Sequence, residues 1–201
     1  MKHLASKLLW VLAILALLTP AFSAMAEGIV VKNTELVNAE EGASLNANIE
    51  VTLGQTLEDA LKKGVPLYFQ LEFELSRPRF AWFPYWPYET VISAQRRYKL
   101  SYNALLRQFQ VGIETPSASQ EGVVRGIGQN FSSLSQALSY MGHLHGWQVS
   151  ERVATKKPML HEASLYMKLD VSLLPKPLQV NAIASKSWSL ESEVYRWTVT
   201  P

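Results

Sequence analysis

Over most of this chain the apolar residues fall at every second position. Val65, Leu67, Phe69, Leu71, Phe73 and Leu75 alternate with Pro66, Tyr68, Gln70, Glu72, Glu74 and Ser76. In an extended chain successive side chains point to opposite faces, so this stretch predicts a strand with one face in a core and one toward water. Leu45, Ala47, Ile49, Val51 and Leu53 repeat the pattern opposite Asn46, Asn48, Glu50 and Thr52. Leu165, Met167, Leu169, Val171 and Leu173 repeat it opposite Tyr166, Lys168, Asp170 and Ser172. Weaker alternation covers residues 29–36, 89–102, 105–113 and 188–199, with Asn103 as a tight-turn residue between the second and third of these.

Two segments change to helical spacing. Thr56 stands three residues before Asp59 as an N-cap, Leu57, Ala60 and Leu61 share a face, and Gly64 can stop the helix. Ser133-Leu134-Ser135-Gln136 has the form of a capping box, and Leu134, Ala137, Leu138 and Met141 follow at helical spacing up to Gly142 or Gly146. About seven or eight consecutive strands with two short helices predict a mainly β fold, an antiparallel β-sandwich-like domain, rather than a parallel sheet with alternating helices.

The first 26 residues depart from this pattern. Lys2 and Lys7 precede eleven apolar residues (8–18, LLWVLAILALL), Thr19-Pro20 breaks the run, and Ala24-Met25-Ala26 offers small residues to a signal peptidase. This is the layout of a cleaved secretory signal, and the run falls well short of the ~20 apolar residues that span a bilayer. Residues 27–201 then form a single β-rich domain in the periplasm, not membrane-spanning. The chain has no cysteine, which excludes a disulfide framework, a thiol nucleophile, thiolate metal sites and a lipobox anchor. Its formal charge of +2 comes from Lys2 and Lys7, and the rest balances. A domain neutral overall carries no electrostatic footprint for nucleic acid or anionic membrane.

Chemistry-bearing residues are sparse. His143 and His145 are separated by one residue, with His161 and Glu162 downstream, a spacing that can serve a metal. Directly after a predicted helix, histidines serve equally well to satisfy its last carbonyls, and the sequence calls for no metal and no cofactor. Glu72 and Glu74 share the polar face of a predicted strand, where carboxylates are ordinarily solvated. There is no G-x-S-x-G elbow, and Gly122, Gly126 and Gly128 lack both the P-loop lysine and dinucleotide spacing. No catalytic residue is assigned.

The unusual segment is residues 77–88, RPRFAWFPYWPY, with six aromatics in nine residues from Phe80 to Tyr88. Pro78, Pro84 and Pro87 exclude a regular central strand. Aromatics with arginine carry much of the energy of protein interfaces and also stack on sugars. The binding candidates are Arg77, Arg79, Trp82, Tyr85, Trp86 and Tyr88, while Phe80 and Phe83, without polar tips, are expected to face inward. The alternative is a lid packed over one end of the sandwich.

The strand of residues 65–76 running into Arg77-Pro78-Arg79, then SAQRRYKLSY (93–102), Leu174-Pro175-Lys176-Pro177-Leu178, Ser187-Trp188-Ser189-Leu190 and Tyr195-Arg196-Trp197, resembles the proteobacterial exported domain-of-unknown-function family numbered 4390. The resemblance covers nearly all of the chain after residue 26 and includes no catalytic motif. It implies a Gram-negative envelope protein. Members are often encoded beside a membrane sensor kinase of the nitrogen-regulation type, which implies an accessory role in signalling. The sequence therefore points to a non-enzymatic, protein-binding periplasmic domain whose partner is an envelope protein, a sensor kinase among them. The alternatives are a module for an apolar or carbohydrate ligand, then an unrecognised hydrolase.

N-terminal sequencing of protein from a periplasmic fraction is expected to begin at Glu27. An intact chain from Met1 held in the inner membrane contradicts the export assignment.

Overall fold

The strongest alternation in the sequence becomes the centre of the larger sheet. In the computed structural model, which describes residues 27–39, 42–78, 88–116, 123–125, 128–151 and 161–199, Leu67–Pro78 (β3) lies between Tyr88–Asn103 (β4) and His161–Leu169 (β9). Both pairings are antiparallel, and Phe73 stands opposite Ala94 on one side and Leu165 on the other. Gln108–Pro116 (β5) and Val123–Arg125 (β6) extend the sheet beyond β4, and Tyr195–Val199 (β10) extends it beyond β9. Gln129–Phe131 (β7) also pairs with β5.

A smaller antiparallel sheet is formed by Gly28–Ala39 (β1), Gly42–Thr52 (β2) and His143–Ser150 (β8), in the order β1-β2-β8. The two sheets share one hydrophobic core. Ala43, Leu45, Ala47, Ile49 and Val51 enter it from β2, and Leu67, Phe69, Leu71, Phe73 and Leu75 from β3. The Arg96 guanidinium of β4 lies 5.0 Å from the ring centre of Trp147 on β8, a contact between the sheets. The chain is therefore mainly antiparallel β and sandwich-like, as the alternation predicts.

At one edge the sheets are stitched together. Residues 190–192 follow β9 with hydrogen bonds Leu169 N to Leu190 O (2.8 Å) and Ser192 N to Met167 O (2.8 Å), and Ser192 also bridges to Ile29 of β1. The outer face of the large sheet is polar. Glu72 accepts from Gln70 (2.9 Å) and pairs with Lys168 (3.3 Å). The Tyr166 hydroxyl donates to Glu191, and its pKa is pushed up to about 12 by partial burial and by the carboxylates of Glu191 and Glu72.

The described residues form three α-helices where the sequence predicts two. Gln55–Lys62 (α1) buries Leu57 and Leu61, and Gly64 follows at φ +89°, a left-handed turn that suits glycine. Its N-cap is Gly54, not Thr56, and no side chain caps it. Leu134–Gly142 (α2) begins as predicted, with the Ser133 hydroxyl accepting from Gln136 N at 3.3 Å. Gly142 ends this helix against β2, where an added Cβ would collide with the carbonyl oxygen of Ile49. The third helix, Lys176–Ala184 (α3), carries a proline in its first turn. It follows a 3-10 turn at Val171–Leu173, so β9 stops at Leu169 although the apolar alternation runs on to Leu173. A second 3-10 turn, Lys186–Trp188, buries Trp188. No described helix is long and apolar enough to cross a membrane.

In urea denaturation Phe69→Ala is expected to cost about 3–5 kcal/mol, because its fully buried ring leaves a cavity. Gly142→Ala should cost about 1–3 kcal/mol by pushing α2 off β2. Glu72→Ala, which removes contacts on a half-exposed face, should stay within about 1 kcal/mol. Equal midpoints for Phe69→Ala and Glu72→Ala contradict the register.

Candidate functional site

The residues predicted to bind divide at the end of β3. Pro78 pairs with Tyr88, so the strands on either side of the aromatic segment close as a hairpin. Arg77 is half-buried and pairs with Glu89 across the hairpin at 3.3 Å. Tyr88 is 59% exposed. Arg79, Trp82, Tyr85 and Trp86, with Phe80 and Phe83, lie outside the described residues.

The histidines do not converge. His143 begins β8, and its Nδ1 lies 2.7 Å from the carbonyl oxygen of Ser139, so it caps the end of α2. His145 is exposed on the same strand, and His161 is buried at the start of β9 in the other sheet. Among the described residues no group of three or more His, Asp or Glu is placed to hold a metal ion. Glu72 and Glu74 stand on the outer face of the large sheet.

The structure instead assembles a groove of about 700 Å3 between β2 and α2. One wall is residues 48–53, a continuous run of β2 and the residue after it. The other wall is Leu134 and Leu138 with Ser133, Ser135 and Ser139, and His143 closes one end. Lys32 and Glu58 stand at the rim, each already paired, with Glu50 (2.9 Å) and Lys62 (3.2 Å) respectively.

The groove follows from unequal strand pairing. β1 accompanies β2 as far as Thr52, whereas β8 pairs with it only between Ala43 and Asn48. β8 can start no earlier, because the capped helix α2 runs directly into His143. Beyond Asn48, β1 is therefore the only strand bonded to β2 among the described residues. The Ile49 carbonyl faces Gly142 of α2. In an extended strand the N–H and C=O of alternate residues face the same side, so those of Val51 face the groove. The Ile49, Val51 and Leu53 side chains point into the core. What β2 offers here is main chain, an open strand edge beside an apolar helix wall.

Residues 26–198 match the family described as a domain of unknown function, DUF4390. The chain belongs to DUF4390. The match takes in both sheets, all three helices and every groove residue. No curated protein and no solved structure is a significant match. The DUF4390 groove escaped sequence reasoning because its walls are defined by where β8 stops along β2, a long-range pairing that local alternation does not encode. The one local signal was the capped helix ending at Gly142, which fixes where β8 can begin.

Amide exchange followed by NMR is expected to separate the two edges of β2. The Val51 N–H, on the open edge, should exchange at least tenfold faster than the Glu50 N–H, which faces β1. Equal protection of the two contradicts an open edge.

Proposed function

We propose that this DUF4390 protein is exported to the periplasm and acts there, without catalysis, by binding an extended segment of an envelope protein as an added strand on β2. The observation that carries this reading is the β2 edge at Val51, which no described strand covers, facing the apolar wall of α2. Main-chain groups on such an edge supply affinity that is independent of sequence, and side chains at alternate positions of the bound segment supply specificity. Leu134 and Leu138 favour an apolar residue at every second position of the partner, while Ser135, Ser139 and His143 suit polar residues near the rim. The extracytoplasmic part of a membrane sensor kinase is the partner class that the family association puts first. Recruiting a loose segment of such a protein would be an accessory role in signalling.

A random-peptide phage library panned on the chain from Glu27 is the test. Enriched peptides are expected to alternate apolar and polar residues. N-methylation at alternate backbone positions of a selected peptide should weaken it at least about tenfold, because it removes a main-chain donor without altering the protein. Leu134→Asp should do the same by placing a charge in the apolar wall. Peptides that bind equally well when N-methylated, or that bind the Leu134→Asp variant as well as the wild type, contradict strand addition.

A further inference from the structure

Five of the ten large apolar side chains exposed among the described residues gather at one end of the large sheet. Leu105 and Leu106, 96% and 63% exposed, form the tip of the β4–β5 turn. Leu173, Val180 and Ile183 stand on the segment that follows β9, the last two 73% and 76% exposed on α3. β4 leaves the sheet after Asn103 and β9 after Leu169, and Leu100 and Leu169 stand beside Leu67 and Phe69 at the start of β3. Both protrusions therefore project from the same end. With β3 and β4 between them, they are separated by roughly two to three strand spacings, on the order of 10–15 Å. The paired residues Pro78 and Tyr88, at the end of β3 and the start of β4, are at the opposite end of these strands.

Neither protrusion is an accident of a loose loop. The Asn103 side-chain oxygen accepts from Leu105 N (3.0 Å) and Leu106 N (3.1 Å), and Arg107 closes the turn at φ +52°. The turn thus holds both leucines outward with their main-chain donors already satisfied, which lowers the cost of leaving water. On α3 the inward residue Ala182 is buried and Leu178 packs against the core, yet Val180 and Ile183 on the other side are apolar too. A surface helix apolar on both sides has an outward face that water does not favour.

Although the domain is neutral overall, the charges carried by these two segments have one sign. Residues 103–107 carry Arg107 and no acid, and residues 171–190 carry Lys176 and Lys186 and no acid. The acids that flank the second segment are both engaged, Asp170 by the N–H and hydroxyl of Ser172 and Glu191 by the Tyr166 hydroxyl. We infer that this end of the protein docks on an anionic lipid surface, with Leu105, Leu106, Val180 and Ile183 entering the interface and Arg107, Lys176 and Lys186 meeting the headgroups. Two convex apolar tips of unrelated shape fit a fluid interface, whereas a protein partner would need two matched hollows. Cations beside shallow apolar anchors are the arrangement that anionic headgroups favour.

The mature chain from Glu27 is to be sedimented with vesicles of phosphatidylethanolamine and phosphatidylglycerol, and separately with vesicles of phosphatidylcholine alone. The protein is expected to pellet with the anionic vesicles at least about tenfold better than with neutral ones, and to be released in part by high salt. Leu105→Asp with Leu106→Asp, and separately Val180→Asp with Ile183→Asp, should each reduce binding by about tenfold or more. All four residues are exposed, so both variants should keep the wild-type circular dichroism. If one variant fails to fold, the charge reversals Lys176→Glu and Lys186→Glu should still remove the preference for anionic vesicles. Wild-type protein that stays in the supernatant, variants that pellet as the wild type does, or loss of self-association in the variants without any vesicle binding would each overturn the inference.

Discussion

The five side chains that β3 turns inward, Leu67, Phe69, Leu71, Phe73 and Leu75, are all fully buried, and the rest of the molecule is arranged around them. Each contributes on the order of 1.5–3 kcal/mol by leaving water. They fix the register of both neighbours as well, because a one-residue slip would turn every one of them to the solvent face. β4 and β9 are locked on either side, and β2 closes the core from above with its own alternating set. The small sheet has no core of its own; it is held by the one that the large sheet presents.

That dependence explains where the molecule is left open. β2 needs its apolar face over the core as far as Leu53, but its outer neighbour β8 is tethered to α2 and reaches only Asn48. Gly142 lets α2 come against Ile49 at the junction, and the helix then lines the groove beside the uncovered strand edge. An edge of this kind is a liability for pairing with other chains unless it is covered. Here one side is walled by a helix, which restricts access to a single extended segment. The same property that makes an edge hazardous makes it a usable recognition surface.

Much of this was legible in the sequence. The faces of β2, β3 and β9 follow from alternation, the Ser133 cap from its capping box, and the β4–β5 turn from Asn103. Three features were not, each for a local physical reason. β9 ends before the alternating Val171 and Leu173 because Asp170 takes the Ser172 N–H and starts a 3-10 turn, a side-chain competition that hydrophobic period does not register. Lys176–Ala184 carries apolar residues on opposite faces and has no side-chain cap, so neither helical spacing nor a capping signal announces it. The groove depends on the pairing of β8 with β2 across almost a hundred residues of sequence, and no local pattern carries such a contact. The aromatic segment was conspicuous in composition, and of its binding candidates Arg77 and Tyr88 can be placed, at the base of a hairpin.

The most direct measurement of strand addition is the set of nuclear Overhauser effects between a bound peptide and β2. An added strand brings peptide main-chain protons within reach of the Val51 and Leu53 amides, and contacts from alternate peptide side chains to Leu134 and Leu138 should accompany them. Contacts confined to the hairpin around Arg77 and Tyr88, with the β2 amides unaffected, would contradict the proposal that the open edge is the recognition site.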